Sequence, residues 1–165
     1  MKYCQPPDTM IATSSCLAPI QSLSNGDKVI SFDPTSGTLR EATIRVRSRF
    51  YDGPLYHVHC AGESTWCTPE HLWTVHTQDG VALVNTLDLD EGMSLPIPNG
   101  STVRWHALDN VKTDLYYGRV YSIEVARDEH YIADGIITHN CFGPLERNRR
   151  KHVEPGVYDY LGSLI

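Results

Sequence analysis

The sequence has 165 residues, of which 41% are hydrophobic and 21% are charged, and its formal net charge is −6. A chain of this length and composition is expected to form one compact globular domain. The acidic balance argues against nucleic acid as the main partner, because binding to phosphates needs a basic face. No apolar run reaches the ~20 residues of a membrane span, and the amino terminus lacks the apolar stretch of a signal peptide.

Five cysteines, an odd number, are spread along the chain, and no two have the close spacing of a redox or zinc motif. They are Cys4, Cys16, Cys60, Cys67 and Cys141. We therefore predict free thiols in a reducing cytoplasm rather than a framework of disulfides.

Short stretches in which hydrophobic and polar residues alternate dominate the chain, and they predict an all-β protein. They are Lys28–Phe32, Ala42–Arg47, Leu55–Cys60, Leu72–His76, Val81–Val84, Arg119–Val125 and Gly135–Thr138. Turn residues separate these strands, among them Asp52-Gly53-Pro54, and Asp79-Gly80 predicts a hairpin. Helix is expected only as a turn or two near Cys16–Ser22 and Thr86–Asp90, and Asn99–Asp114 shows no clear element.

An internal repeat is visible at an offset of 65 to 66 residues. Tyr51–Cys60 aligns without gaps to Tyr116–Val125, with the tyrosines, the glycine and the aliphatic residues in register. Upstream, Leu23–Val29 matches Leu89–Leu95. Two matches at nearly one offset predict a duplicated β unit, that is, two related halves within one domain.

The residues with reactive side chains gather near the two ends of the duplicated region. Cys4 stands at the start, Thr68-Pro-Glu-His71 follows a predicted strand, and His130 and His139-Asn140-Cys141 close the second half. Each is unremarkable alone, since a lone cysteine is more often a small buried hydrophobe than a nucleophile. Their combination at the two ends of a duplicated β unit is what indicates a function.

That combination resembles an intein, a protein-splicing element, of the mini type that lacks a homing endonuclease. The matching positions are Cys4 with Thr9-Met-Ile, Pro19-Ile20 and Leu23-x-x-Gly26-Asp27-x-Val29 for the first motif, Thr68-x-x-His71 for the second, Val120–Val125 with His130 for the third, and Ile136-Ile-Thr-His139-Asn140-Cys141 for the last. The resemblance implies the Hint fold of Hedgehog and intein domains, an all-β horseshoe with pseudo-two-fold symmetry.

The resemblance also implies the boundaries of the reacting segment. Residues 4–140 would be the splicing element, between flanking segments 1–3 and 141–165. Cys4 would attack the carbonyl of Tyr3 in an N-to-S acyl shift, because an ordinary peptide bond is inert until it is exchanged for a thioester. Cys141 would then take over the acyl group, and Asn140 would cyclise and cleave the bond that follows it.

Further site residues follow from the same resemblance. Thr68 and His71 would contact the first junction, with His71 as proton donor or amide distorter. His139 would polarise the carbonyl of Asn140, and His130 would assist deprotonation of the amide nitrogen. The reaction would run in cis in a monomer, without cofactor, metal, nucleic acid, membrane or partner.

Two residues, Ser122 and Cys16, bear on how the motifs are matched. Ser122 occupies a site where this family commonly has Asp, and His57, its counterpart in the repeat, is the residue that could compensate. Cys16 also precedes a motif-like stretch and is the other possible first residue. Starting there would delete Thr9-Met-Ile, the strand expected after the initiating cysteine, and this favours Cys4.

Two other functions stay open on the sequence. The first is an intein-like domain that cleaves without ligating, although the downstream Cys141 would then serve no purpose. The second is a small structural β module that binds zinc through His57, His59, Cys60, Cys67 and His71, since imidazole and thiolate suit that metal.

Overall fold

The computed structural model describes residues 4–33 and 36–140, and these residues form eleven β-strands. The strands are β1 (Met10–Ala12), β2 (Leu17–Pro19), β3 (Lys28–Asp33), β4 (Thr38–Cys60), β5 (Glu63–Cys67), β6 (Leu72–Thr77), β7 (Gly80–Asn85), β8 (Ser94–Asn99), β9 (Thr102–Val125), β10 (His130–Ala133) and β11 (Ile136–His139). Two short 3₁₀ turns, Ile20–Ser22 and Thr86–Asp88, are the helical elements of this part of the chain. The all-β prediction is confirmed. Within the described ranges, no helix is long and apolar enough to span a membrane.

All the strand pairs are antiparallel and form two sheets. The smaller sheet has the order β11-β10-β1-β2, and the larger has the order β3-β4-β9-β8-β6-β7, with β5 paired to β4. The larger sheet is organised around a long ribbon of β4 and β9, in which Ile44 lies opposite Val125 and Val58 lies opposite Val111. The first and last strands of the described chain therefore meet in one small sheet, beside the end of the ribbon.

The internal repeat predicted from the sequence is present in the backbone. The 3₁₀ turns begin 66 residues apart, at Ile20 and Thr86, and each is followed by a six-residue strand, β3 and β8. Equivalent turns precede these strands: Asp27 N–H donates to Ser24 O and Met93 N–H donates to Asp90 O, both at 3.1 Å.

The two halves are related by a pseudo-two-fold axis that crosses the middle of the ribbon. Tyr51 lies opposite Gly118, and its repeat counterpart Tyr116 lies opposite Gly53. This exchange of partners is what a two-fold axis through the pairing of β4 with β9 requires. The duplicated halves therefore face each other, rather than standing side by side as independent units.

Each half contributes strand residues to the core of the other. The first core contains Ile123 and Val125 from the end of β9, and the second contains Val58 and Cys60 from the end of β4. Burial of these side chains, at roughly 1.5–3 kcal/mol for each large aliphatic residue, holds the ribbon against the rest of both cores. Neither core is complete without a strand from the other half.

Two segments differ from the sequence prediction. Asp52-Gly53-Pro54, predicted as a turn, lies within β4. Asn99–Asp114, for which no element was predicted, contains the end of β8 and the whole first half of β9. In the segment from Asn99 to Asp114, Val103 and Leu108 are buried but lie five residues apart, and most of the residues around them are exposed. Two buried residues at this spacing give no period-two alternation to detect, and pairing with β4 and β8 maintains the strand.

Candidate functional site

Cys4 is fully buried and is held by two hydrogen bonds to Thr68. The amide N–H of Cys4 donates to Thr68 Oγ1 at 2.9 Å, and the amide N–H of Thr68 donates to Cys4 O at 2.9 Å. The next residue, Gln5, pairs with Tyr121 of β9 through two hydrogen bonds of 2.8 Å. The segment that begins at Cys4 is therefore fixed between the end of β9 and the turn that follows β5.

That turn owes its shape to Pro69. Thr68 O accepts the amide N–H of His71 at 3.1 Å, which closes a four-residue turn with proline at its second position. Proline is favoured there because its fixed φ matches the turn. The turn presents the Thr68 hydroxyl to Cys4 and directs His71 into the interior.

The imidazole of His71 connects this turn to the last strand. Its Nε2 is hydrogen-bonded to Thr138 Oγ1, and the hydroxyl of Thr138 in turn donates to Leu72 O at 3.3 Å. Since Thr138 uses its proton on that carbonyl, Nε2 of His71 must be the donor. Burial lowers the pKa of His71 to about 3, with a smaller contribution from His139. His71 is therefore neutral at physiological pH.

Burial and the neighbouring side chains shift the pKa of the Cys4 thiol in opposite directions. Burial raises its pKa, whereas the guanidinium of Arg49 and, to a smaller extent, the hydroxyl of Ser122 favour the thiolate and lower it. Ser122 is fully buried beside the thiol, and its Oγ makes no hydrogen bond of normal geometry to a described residue. Sequence analysis missed Arg49 because only the pairing of β4 with β9 brings it to this site.

A hydrogen-bonded chain holds Gln5 from behind. Tyr131 Oη donates to Gln5 Oε1 at 2.8 Å, Gln5 Nε2 donates to Thr65 Oγ1 at 3.3 Å, and Thr65 Oγ1 donates to Asp134 Oδ2 at 2.7 Å. The other carboxylate oxygen of Asp134 accepts the amide N–H of Met10 at 2.8 Å. This chain connects β1, β5 and β10, so it ties the segment after Cys4 to the strand pair that carries the last motif.

At the other end, His139 contacts the carbonyl of Asn140. His139 Nδ1 lies 3.0 Å from Asn140 O, and because a carbonyl can only accept, Nδ1 carries the proton. The other ring nitrogen, Nε2, lies 3.5 Å from Glu129 Oε2. A hydrogen-bond donor is therefore directed at the carbonyl of the bond that follows Asn140, with an acidic group behind the donor.

The side-chain amide of Asn140 has one defined orientation. Its Oδ1 accepts the backbone N–H of Val125 at 2.6 Å, and its Nδ2 donates to Val125 O at 3.0 Å. The backbone N–H of Asn140 donates to Glu129 O at 2.6 Å. Since the backbone of Val125 offers one donor and one acceptor, the amide oxygen and nitrogen cannot exchange places.

His130 lies beside these residues without bonding to Asn140. Its Nδ1 donates to Asp128 O at 2.6 Å, its Nε2 accepts the hydroxyl of Thr74 at 2.9 Å, and its ring meets that of His139 edge to face at 5.0 Å. Burial lowers its pKa to about 3, so this ring is also neutral. Sequence reasoning assigned His130 to Asn140, whereas the contact here is with His139.

The two ends of the proposed element lie on the same stretch of β9. Cys4 lies beside Ser122 and Asn140 is bound to Val125, so the two anchoring positions are three strand residues apart. At the usual rise of a β-strand this is about 10 Å. Tyr3 and Cys141, the residues on the far side of the two junctions, lie outside the described residues.

The described residues support neither alternative considered from the sequence, Cys16 as the first residue or a zinc-binding module. Cys16 is exposed between β1 and β2 and bonds locally to Thr13. Of the groups considered for zinc, His57 and His59 are in contact, with His59 Nε2 3.0 Å from His57 Nδ1, whereas Cys67 Sγ lies 3.2 Å from the hydroxyl of Thr86 and His71 Nε2 is bound to Thr138. Across residues 4–33 and 36–140, no three His, Cys, Asp or Glu side chains are grouped so that they could hold a metal ion.

No protein-family model and no curated protein sequence matches the chain. Its structure, however, superimposes on solved structures of inteins. A bacterial intein-like domain from Clostridium thermocellum is 25% identical, with a TM-score of 0.73, and the match covers 85% of this chain and 99% of that domain. The DnaB intein from Synechocystis sp. is 16% identical, with a TM-score of 0.74 and coverage of 85% and 99%. A KlbA intein precursor from Methanococcus jannaschii is 19% identical, with a TM-score of 0.77 and coverage of 88% and 95%.

The fold is therefore that of inteins and intein-like domains, the pseudo-symmetric Hint horseshoe, and the resemblance recognised in the sequence motifs is confirmed. The matched structures are covered almost completely, so this chain has the whole Hint fold and not a fragment of it.

Proposed function

We propose that this chain is a protein-splicing element that excises residues 4–140 and joins Tyr3 to Cys141. The observation that carries the proposal is the anchoring of Cys4 and Asn140 about 10 Å apart on one strand, β9, at Ser122 and Val125. A splicing element must hold the two ends of its chain together, because joining them otherwise requires two remote groups to meet. Such proximity is worth roughly 7–11 kcal/mol of the barrier.

In the first step, the sulfur of Cys4 attacks the carbonyl carbon of Tyr3. The C–S bond forms, the C–N bond breaks, and the proton lost by sulfur ends on the nitrogen of Cys4. Thr68 supports this step because its hydroxyl bonds to the nitrogen that becomes an amine. The neutral state of His71 favours a role in holding the turn and the last strand in place over a role as a cationic proton donor.

In the second step, the sulfur of Cys141 attacks the thioester and frees the thiol of Cys4. In the third step, Asn140 Nδ2 attacks the carbonyl carbon of its own residue, so that a succinimide forms, the bond to Cys141 breaks, and the proton lost by Nδ2 ends on the nitrogen of Cys141. The acyl group then moves from the sulfur of Cys141 to that nitrogen, which forms the peptide bond between Tyr3 and Cys141. His139 supports this step because its Nδ1–H is directed at the oxygen on which charge develops. His130 acts on the same step through its contact with the ring of His139.

A second function, cleavage without ligation, has its own supporting observation. The solved structure with 25% identity is an intein-like domain, whereas the named inteins from Synechocystis sp. and Methanococcus jannaschii are less than 20% identical. Both functions share the acyl shift at Cys4 and the cyclisation of Asn140. They differ in whether the thioester is captured by Cys141 or by water.

Intact-mass analysis of the 165-residue chain after incubation separates the two functions. Splicing yields a 28-residue peptide, made of the 3-residue and 25-residue flanking segments, and the 137-residue element. Cleavage without ligation yields the two flanking segments as separate products. The Cys141→Ala variant is the matched control, since it removes capture of the thioester and should give only separate products. Unreacted precursor from a folded wild-type chain would refute both functions.

A further inference from the structure

Arg49 reaches the site of Cys4 through the register of three neighbouring segments. On β4, Arg49 pairs with Val120 of β9, so its side chain is on the same face of the sheet as those of Val120 and Ser122. On the other edge of β9, the pairing of Gln5 with Tyr121 brings Cys4 to the position of Ser122. The side chains of Arg49, Ser122 and Cys4 therefore share one face.

The guanidinium of Arg49 contacts the ring of Tyr51, but one of its hydrogen-bond donors is left unpaired. Its central carbon lies 5.5 Å from the centre of the Tyr51 ring, a distance at which the ring attracts a cation. Its Nε is buried and has no hydrogen-bond partner among the described residues. A buried donor on a permanent cation is costly to leave unpaired, so this arrangement favours an anion nearby.

Arg47, which lies opposite Ser122 on the same face, is a second cation, so among the described neighbours the thiol of Cys4 is the group that can become that anion. Ser122 is uncharged, whereas an aspartate, common at this position in inteins, would itself pair with the guanidinium. Burial raises the pKa of Tyr51, the charge of Arg49 lowers it and that of Cys4 raises it. The net shift is upward, so the phenol of Tyr51 stays neutral. The negative charge of Glu70 raises the pKa of Tyr51 but does not shift that of Cys4.

We infer that Arg49 is a catalytic residue of the first acyl shift, in which its guanidinium stabilises the thiolate of Cys4. This inference rests on the proposed splicing function. The thiolate is the nucleophile that attacks Tyr3, and the proton that leaves sulfur is returned to the nitrogen of Cys4, so no external reactant is needed. The chain thus combines an uncharged serine at position 122 with a cation at position 49. An Asp at position 122 would be a second anion beside the thiolate of Cys4.

The test isolates the first step in a chain that carries Cys141→Ala and Asn140→Ala, so that the acyl group can only move to Cys4. An added small thiol then releases Met1–Tyr3, and the rate of release is measured from about pH 6 to pH 10. Arg49→Met, which keeps an unbranched side chain but removes the charge, should lower the rate at neutral pH by roughly tenfold for each unit by which the pKa of the thiol rises. The loss should shrink at high pH, where the thiolate forms without help. Arg49→Lys should restore most of the rate.

A uniform loss at every pH, or the same loss in Arg49→Lys as in Arg49→Met, would indicate a structural role and overturn the inference. Thermal unfolding of each variant shows whether the fold is retained. Ser122→Asp, which places a competing carboxylate beside the guanidinium, should reproduce the shift of the pH profile seen with Arg49→Met. An unshifted profile in Ser122→Asp would contradict the idea that the two positions act on the same charge.

A second measurement does not depend on splicing. In protein labelled with ¹³C at Cβ of cysteine, the chemical shift of Cys4, assigned with Cys4→Ser, reports the conversion of thiol to thiolate. The midpoint of this conversion should move to higher pH in Arg49→Met. If the parent chain releases nothing with thiol while this midpoint moves, the proposed function fails and the charge pairing stands. If the midpoint does not move, the inference about Arg49 fails whatever the chain releases.

Discussion

The backbone of Val125 binds both polar atoms of the Asn140 side chain, with the N–H donating to Oδ1 at 2.6 Å and the C=O accepting from Nδ2 at 3.0 Å. The amide is thereby held at the end of β9, and the carbonyl of the same residue is directed at His139. The nucleophile and the electrophile of the proposed cyclisation thus belong to one residue, whose two groups are bound by different partners.

The hydrogen bond from His139 to Asn140 O predicts a selective defect. His139→Ala removes the hydrogen-bond donor that would stabilise the negative charge developing on Asn140 O. Loss of one such donor typically slows a reaction roughly 10²–10³-fold. Cleavage after Asn140 should slow by this amount, while release of Met1–Tyr3 by an added thiol should persist. His106→Ala, at an exposed histidine, serves as the control. Equal slowing at both junctions would show that His139 acts on the fold rather than on the carbonyl of Asn140.

The hydroxyl of Thr68 predicts the opposite selectivity. Thr68→Val keeps the shape of the side chain but removes the oxygen that accepts the N–H of Cys4. Thiol-induced release of Met1–Tyr3 should fall roughly 100-fold, which is the scale of a lost proton-transfer or hydrogen-bonding group. Thr68→Ser keeps the hydroxyl and should retain most of the activity. Cleavage after Asn140 is the internal reference, and a Thr68→Val variant with a normal first step would remove Thr68 from that step.

The two buried neutral histidines predict a loss of stability in acid. In the folded chain the pKa of His71 and that of His130 are about 3, whereas an unfolded histidine binds a proton near pH 6.5. Between these values the unfolded chain binds more protons, so the free energy of unfolding falls as the pH falls, by at most about 1.4 kcal/mol per pH unit for each histidine.

Urea unfolding at pH 6.5 and at pH 5 measures this slope. The variants His71→Gln and His130→Gln should each have a shallower dependence on pH than the wild-type chain, even if they are less stable at pH 6.5. His106→Gln should leave the slope unchanged, since this histidine is exposed. A wild-type slope that survives both substitutions would assign the acid sensitivity to other groups.

The two-fold symmetry of the ribbon predicts matching effects at two glycines. Tyr51 Oη donates to Pro54 O at 2.9 Å, and Tyr116 Oη donates to Arg119 O at 2.9 Å. A Cβ added at the glycine two residues after each tyrosine would lie 2.9 Å from that hydroxyl oxygen. Gly53→Ala and Gly118→Ala should each destabilise the fold by about 1–2 kcal/mol, because each displaces a tyrosine and breaks its hydrogen bond.

A double-mutant cycle checks the cause. Once Tyr51→Phe has removed the hydroxyl, Gly53→Ala should cost clearly less than it does alone, and the same should hold for Tyr116→Phe with Gly118→Ala. Additive costs would mean that the glycines are needed for the backbone rather than for the close approach of the tyrosine.

The sequence predicted the elements whose patterns arise from a buried face. The repeat, the strands near the two cores and the short helical turns are all visible because burial and turn chemistry leave marks on residue order. The middle of the ribbon was missed, since Asp52-Gly53-Pro54 resembles a turn and only the pairing with β9 keeps it extended.

The candidate site divides in the same way. Motif residues such as Cys4, Thr68, His139 and Asn140 could be named from the sequence because their order is distinctive. Arg49 and the backbone of Val125 could not, since the first depends on the register of β4 against β9 and the second carries no side-chain signal. The binding of His130 to Thr74 and Asp128 rather than to Asn140 is likewise a matter of packing that residue order does not encode.

The sharing of strands between the two cores determines when, during synthesis, the proposed nucleophile Cys4 acquires its buried surroundings. Cys4 leaves the ribosome more than one hundred residues before Ser122, Tyr121 and Tyr131, which form or support its surroundings. A nascent chain that ends before β9 lacks part of both cores and therefore has no folded pocket for the thiol. In the proposed reaction, the bond between Tyr3 and Cys4 would thus be protected from early cleavage by the order of translation, because the reaction centre is completed only after β9 and the strands that follow it have been made.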